Sequence, residues 1–138
     1  MGNKKIIIST EVQAPVEKVW NFWTQPEHVI HWNHASEDWH CPKASNDLKV
    51  SGKFSYTMAA KDGSMSFDFE GVYDAIDLYK QIVYTILDGR QVEVLFVSNG
   101  NSTVVTEAFE PENMNPEEMQ RAGWQSILDN FKNYVEET

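Results

Sequence analysis

The 138-residue sequence holds a single cysteine, Cys41, so no intrachain disulfide can form and the chain reads as one made for a reducing cytoplasm. Positive charge is also scarce, with 11 Lys plus Arg against 21 Asp plus Glu and a formal net charge of −10. Nucleic acids and anionic membranes are bound by basic surfaces that displace counterions, so neither is an expected partner. No run approaches the roughly 18 apolar residues of a membrane span. Ile6-Ile7-Ile8 passes directly into Ser9, Thr10 and Glu11, too short for the apolar core of a secretory signal. Repeats, linkers and low-complexity segments are absent as well. With 41% hydrophobic residues, what remains suits one globular core, and we read a single domain over 1–138 that needs no disulfide, metal or cofactor.

Lys4 to Gln13 is rich in β-branched residues and stops at Ala14-Pro15, which predicts a strand and then a helix with Pro in its first turn. Val16, Val19, Trp20 and Trp23 make one apolar stripe over two turns. Thr24 and Glu27 stand at capping-box spacing around Pro26, so a second short helix is expected to run to about Trp32. From Lys53 to Glu110 the period becomes two, interrupted at Asp62-Gly63, Asp88-Gly89 and Asn99-Gly100, and less sharply at Asp77-Leu78. One face of this antiparallel meander is apolar: Phe54, Tyr56 and Met58, then Met65, Phe67, Phe69 and Tyr73, then Ile82, Tyr84 and Ile86. Val92, Val94 and Phe96, with Thr103, Val105 and Phe109, continue it. Ser45-Asn46-Asp47 reads as a loop. Asn115 and Pro116 predict the cap and first turn of a last helix, whose stripe is Trp124, Ile127, Leu128, Phe131 and Val135.

A helix about 10 Å wide covers two or three strands at about 4.8 Å spacing, and six to seven strands are expected. The sheet must therefore curl, and a curled sheet around one helix leaves volume that either side chains or a ligand fill. Gly123, inside the last helix, costs about 1 kcal/mol relative to Ala, so close approach to the sheet or a pocket entrance would give it a reason.

This order, strand, two short helices, meander and long last helix, is that of the helix-grip α+β fold. The residues that carry a more specific likeness are Ala14-Pro15 with Val19-Trp20, Trp23-Thr24 with Pro26-Glu27, and His31-Trp32. Asp47-Leu48-Lys49-Val50 before Gly52-Lys53-Phe54, Lys61-Asp62-Gly63, Gly71 with Tyr73, and Gly123-Trp124 with Leu128 continue it over nearly the whole chain. With them the sequence resembles the SRPBCC superfamily, and within it the proteins similar to the activator of the heat-shock-protein-90 ATPase. Asp38 to Pro42, Phe67 to Gly71 and Gln120 to Gln125 resemble a bacterial subgroup of that family without an assigned activity. The resemblance implies a cavity between sheet and helix, used elsewhere in the superfamily for lipids, polyketides, hormones and other apolar molecules. The family's namesake carries a further chaperone-engaging domain for which this chain has no room.

Among chemistry-bearing residues, His28, His31, His34, His40 and Cys41 crowd one stretch, but no CxxC or HExxH frame orders them and no metal is expected. Adjacent His40 and Cys41 would point to opposite faces of a strand, which argues against a nucleophile–base pair. Asp68 and Glu70 alternate with Phe67 and Phe69 and so belong to the wet face. Glu107 is different, because alternation with Val105 and Phe109 puts it on the apolar face, where a carboxyl needs a partner or a raised pKa. Arg121, Gln120 and Tyr84 are its candidate partners. The expected ligand-contacting set is Trp32, Trp39, Tyr56, Phe67, Phe69, Tyr84, Phe96, Glu107, Gln120, Trp124 and Ile127. Holding a small apolar or aromatic molecule ranks first among functions. A cyclase- or hydrolase-type enzyme using the cavity carboxylate comes second, and a chaperone-activator-like interaction domain third.

Overall fold

The period-two stretches become one antiparallel sheet of seven strands in the computed structural model, which describes residues 4–138 and leaves the first three positions of the expected domain outside. Strand β1 (Ile6–Val12) leads into α1 (Val16–Thr24) and α2 (Pro26–Trp32). Strands β2 (Trp39–Asn46), β3 (Lys53–Ala60), β4 (Ser66–Asp77), β5 (Gln81–Ile86), β6 (Gln91–Ser98) and β7 (Thr103–Phe109) follow, then α3 (Glu117–Glu137). The strand order is β1-β7-β6-β5-β4-β3-β2, so the meander β2 to β7 is closed at one side by the first strand. The glycines of the three expected tight turns take positive φ, at 79°, 95° and 80°. The fourth turn, after β4, uses Tyr79 at φ 66°.

Four expectations are corrected. Ser45 and Asn46 lie in β2, a strand whose polar sequence and Pro42 hide it; its register with β3 shifts between His40 and Lys43, where a bulge accommodates the proline. Thr24 does not cap α2, because its hydroxyl donates back to the Trp20 carbonyl at 2.9 Å; Gln25 occupies the cap position and Pro26 the first turn. Pro116, not Asn115, is the cap residue of α3, and the Asn115 side chain instead donates to Glu112. One end of the apolar face also ends early: Met65 falls outside β4 and is exposed, and Phe67 is 52% exposed.

Helix α3 grips the sheet at its β1 edge. The carbonyls of Ile7, Ser9 and Glu11, which point away from β7, accept from Arg121 Nη1 at 2.8 Å, Gln125 Nε2 at 3.4 Å and Lys132 Nζ at 2.8 Å. The Gln13 amide donates to Glu136 Oε2 at 2.8 Å, so the stitching runs along nearly the whole helix. From this line the apolar stripe turns inward. Leu128, Phe131 and Val135, in the C-terminal half of α3, are fully buried, and each contributes on the order of 2 kcal/mol by leaving water. Trp23 and Trp32 set their rings edge-on to Phe131, both at 4.9 Å between centroids, and fill that end of the sheet. Trp32 Nε1 is satisfied by the Phe22 carbonyl at 3.0 Å.

Two glycines divide sharply. A Cβ on Gly71 would lie 2.7 Å from the Phe54 ring, which covers it from the neighbouring strand. A Cβ on Gly123 would meet nothing within 4 Å, which removes close approach to the sheet as its reason. Gly71→Ala is therefore expected to lower unfolding free energy by about 1–3 kcal/mol through overpacking. Gly123→Ala should raise it by up to about 1 kcal/mol, both read from urea midpoints.

Candidate functional site

The N-terminal half of α3, fastened to β1 and resting on Phe109 of β7, does not fill the space over β3 to β5. In that space lies an open-mouthed cavity of about 350 Å³. Strand β3 contributes Phe54, Tyr56 and Met58, β4 gives Phe67, Phe69 and Tyr73, and β5 gives Ile82 and Tyr84. Trp124 and Ile127 of α3 form the roof, and Trp23, Trp32 and Asn33 close the end filled by the short helices. Arg90, from the β5–β6 turn, and Glu112 and Asn115, from the β7–α3 loop, stand with Gln120 at a polar end. Glu107 of β7 faces the hollow as well.

The walls hold themselves apart. Phe54 meets Tyr56, Phe69, Tyr73 and Tyr84 at centroid distances of 5.0, 5.7, 5.4 and 4.9 Å, in tilted or edge-on contacts rather than a collapsed stack. Trp124 lies flat on Phe109, 4.0 Å between centroids, and presents its edge to Phe69 at 6.3 Å. The Tyr73 hydroxyl donates to Asn46 Oδ1 at 2.7 Å, and Asn46 Nδ2 donates to the Thr24 carbonyl, which ties β4 through β2 to the end of α1. Burial pushes the Tyr73 phenol up to about 12, and pushes Tyr56 and Tyr84 upward too, so all three are neutral donors near neutrality.

Gln120 is the keystone of the polar end. Its Oε1 accepts from the Glu112 amide at 2.9 Å, and its Nε2 donates to the carbonyls of Glu112 and Asn115 at 3.1 and 2.8 Å. Glu112 in turn accepts from the amides of Met114 and Asn115, which hold its carboxyl below the usual range. Arg90 is engaged by Asp88 at 2.9 Å and by the Glu110 carbonyl at 3.3 Å.

Glu107 has none of this support. It is 5% exposed, its strand partners are the buried Ile8 and Val94, and no hydrogen bond or ion pair holds its carboxyl among the described residues. The expected partners are occupied elsewhere: Arg121 binds the Ile7 carbonyl and Gln120 the β7–α3 loop. Tyr84 lies near enough that a charged Glu107 adds to the upward shift that burial gives the phenol. Loss of hydration lifts the Glu107 carboxyl from 4.5 to about 8.

Of the expected ligand-contacting residues, Trp32, Tyr56, Phe67, Phe69, Tyr84, Glu107, Gln120, Trp124 and Ile127 are brought together on the cavity wall. Two are not. Phe96 is packed against Trp20 and Trp23, at 5.1 and 6.0 Å, at the filled end of the sheet. Trp39 stands one ring outward, 6.0 Å from Phe67, beside a shallow surface depression. The lining also holds residues not selected for it. Phe54, Met58, Tyr73 and Ile82 shared the inward parity and could have been chosen on that ground, but Arg90, Glu112 and Asn115 sit in loops that carry no period. The histidines lie elsewhere: His28 Nδ1 is 2.8 Å from the Tyr134 hydroxyl, and His31 stacks on the same ring. Among the described residues, no three His, Cys, Asp or Glu side chains are placed to hold a metal ion.

Residues 13–136 match the family model described as activator of Hsp90 ATPase homolog 1-like protein. The chain belongs to that family. A solution structure of the AHSA1-like protein of Aeromonas hydrophila is similar at 43% identity and TM-score 0.87, covering 95% of this chain and 92% of its own. The Chr148 protein of Cytophaga hutchinsonii is similar at 52% identity and TM-score 0.84, covering 99% and 94%. A Nitrosomonas europaea protein, at 16% identity, TM-score 0.83 and coverage of 97% and 95%, shares the fold. No protein of curated function matches the chain. The helix-grip architecture is that of the SRPBCC superfamily, whose members commonly bind hydrophobic ligands.

Because the folded value for Glu107 lies above the ordinary one, the folded state takes up a proton between pH 4.5 and about 8. Stability is thus full below 4.5 and falls as pH rises through about 8, by a total on the order of a few kcal/mol. Glu107→Gln should abolish this slope and be the more stable form above about pH 8, in urea unfolding across that range. Parallel curves for the two proteins would refute an unpartnered, buried Glu107.

Proposed function

We propose that this chain is a cytoplasmic carrier or sensor domain that binds a small apolar molecule between the sheet and the N-terminal half of α3. One observation carries the reading: a hollow of about 350 Å³, walled mainly by aromatic rings from β3, β4, β5 and α3, with its charged side chains apart from Glu107 gathered at one end. That volume falls in the lower range of small-molecule sites, and rigid aromatic walls with few polar groups are the usual lining. The lone cysteine supports a reducing compartment, and among the described residues no helix is long and apolar enough to cross a membrane. Binding is favoured over catalysis because the lining contains no serine, cysteine or histidine to act with Glu107 as nucleophile or base.

Amide NMR titration with fatty acids, flavonoids and polyketide-like compounds tests the proposal. Saturable shifts should cluster on β3 to β5 and the first half of α3. Ile127→Trp, which puts an indole into the hollow, should weaken the best of these ligands by at least about tenfold while leaving the fold intact. Shifts scattered over the surface, or affinity unchanged in the variant, would sink the reading.

A further inference from the structure

Resting on that reading, we infer that the bound molecule is uncharged and carries a carbonyl-type oxygen, and that Glu107 recognises it as a hydrogen-bond donor, in its acid form. Among the polar groups that reach the hollow, neither the Glu107 carboxyl nor the Tyr84 hydroxyl has a hydrogen-bond partner among the described residues. Both can donate, and both face the hollow. A donor left unmet in an apolar site costs free energy, so a ligand that brings an acceptor gains what the protein lacks, and one that brings only hydrocarbon does not.

Charge narrows the class. The polar end carries Arg90, held by Asp88 and the Glu110 carbonyl, and Glu112, held by the amides of its own loop, so a charged ligand group would give up its hydration among aromatic walls to meet ions already engaged within the protein. A neutral acceptor avoids that cost. The groups that face the cavity with Glu107 are Tyr56 of β3, Tyr73 of β4, Tyr84 of β5, Arg90 of the β5–β6 turn and Glu112 of the β7–α3 loop. The phenols are shifted upward and Glu112 downward, so of these shifted groups Glu107 alone changes charge through neutral pH. Its upward shift keeps the donor proton in place at neutrality.

Three naphthalenes that differ only in one arm decide the matter: acetyl, ethyl and ammonium-bearing aminoethyl. Binding is followed by tryptophan fluorescence, and the acetyl carbonyl stretch by infrared difference spectroscopy. The acetyl compound should bind at least about tenfold more tightly than the ethyl one at neutral pH, with its carbonyl stretch lowered. Only the acid form donates, so acetyl affinity should fall about tenfold between pH 7 and pH 9. Glu107→Gln, which keeps a donor, should retain the preference for acetyl and lose its pH dependence. Glu107→Leu should lose most of the acetyl preference, and Glu107→Leu combined with Tyr84→Phe should bind ethyl and acetyl alike. Ethyl binding with no acetyl preference, an acetyl preference undiminished in Glu107→Leu, or tightest binding of the ammonium would overturn the inference and leave the cavity reading standing. Failure of all three to bind would overturn both.

Discussion

One helix has to cover seven strands, and it is fastened at the edge. Arg121, Gln125 and Lys132 hold α3 to successive outward carbonyls of β1, so the helix cannot slide to the middle of the sheet. The strands on the far side must bend back toward it to bury their apolar face, helped by the bulge between Tyr73 and Ala75 of β4. Where α1 and α2 come in beneath α3, Trp23, Trp32 and Phe131 complete a solid core. Where they do not, the same curvature leaves a hollow. Cavity and core are thus two ends of a single packing arrangement.

The hollow persists because its walls brace one another. An aliphatic lining could collapse by rotamer changes, whereas aromatic rings with two side-chain torsions, in contact with their neighbours from Phe54 to Trp124, have little freedom to fall inward. The chain keeps a carboxyl without a hydrogen-bond partner within this frame, at a position flanked by Ile8 and Val94. A carboxyl whose folded value lies at about 8 is expected to weaken the fold as pH rises toward that value.

Much of this could be read from residue order, for identifiable reasons. Alternation locates a face, so Glu107 was placed inward and Asp68 outward, where it accepts from Thr57. Alternation does not locate a position along the strand, which is why Phe96 shares the parity of the cavity residues and yet lies at the filled end. β2 escaped because an edge strand with Pro42, Lys43 and Asn46 has neither alternation nor β-branched residues. Thr24 had the spacing of a cap, but its hydroxyl could also reach the preceding turn, and that local bond won. Arg90, Glu112 and Asn115 converge only through tertiary loop geometry, which no window of sequence contains.

The two margins of the sheet have a further consequence. At one, α3 side chains occupy the outward carbonyls of β1; at the other, Pro42 and the His40–Lys43 irregularity spoil the regular ladder of β2. A second molecule therefore finds no clean strand to extend, on either flank, even though the interior face is unusually rich in β-forming aromatics. Edge-to-edge pairing of two copies is thereby disfavoured.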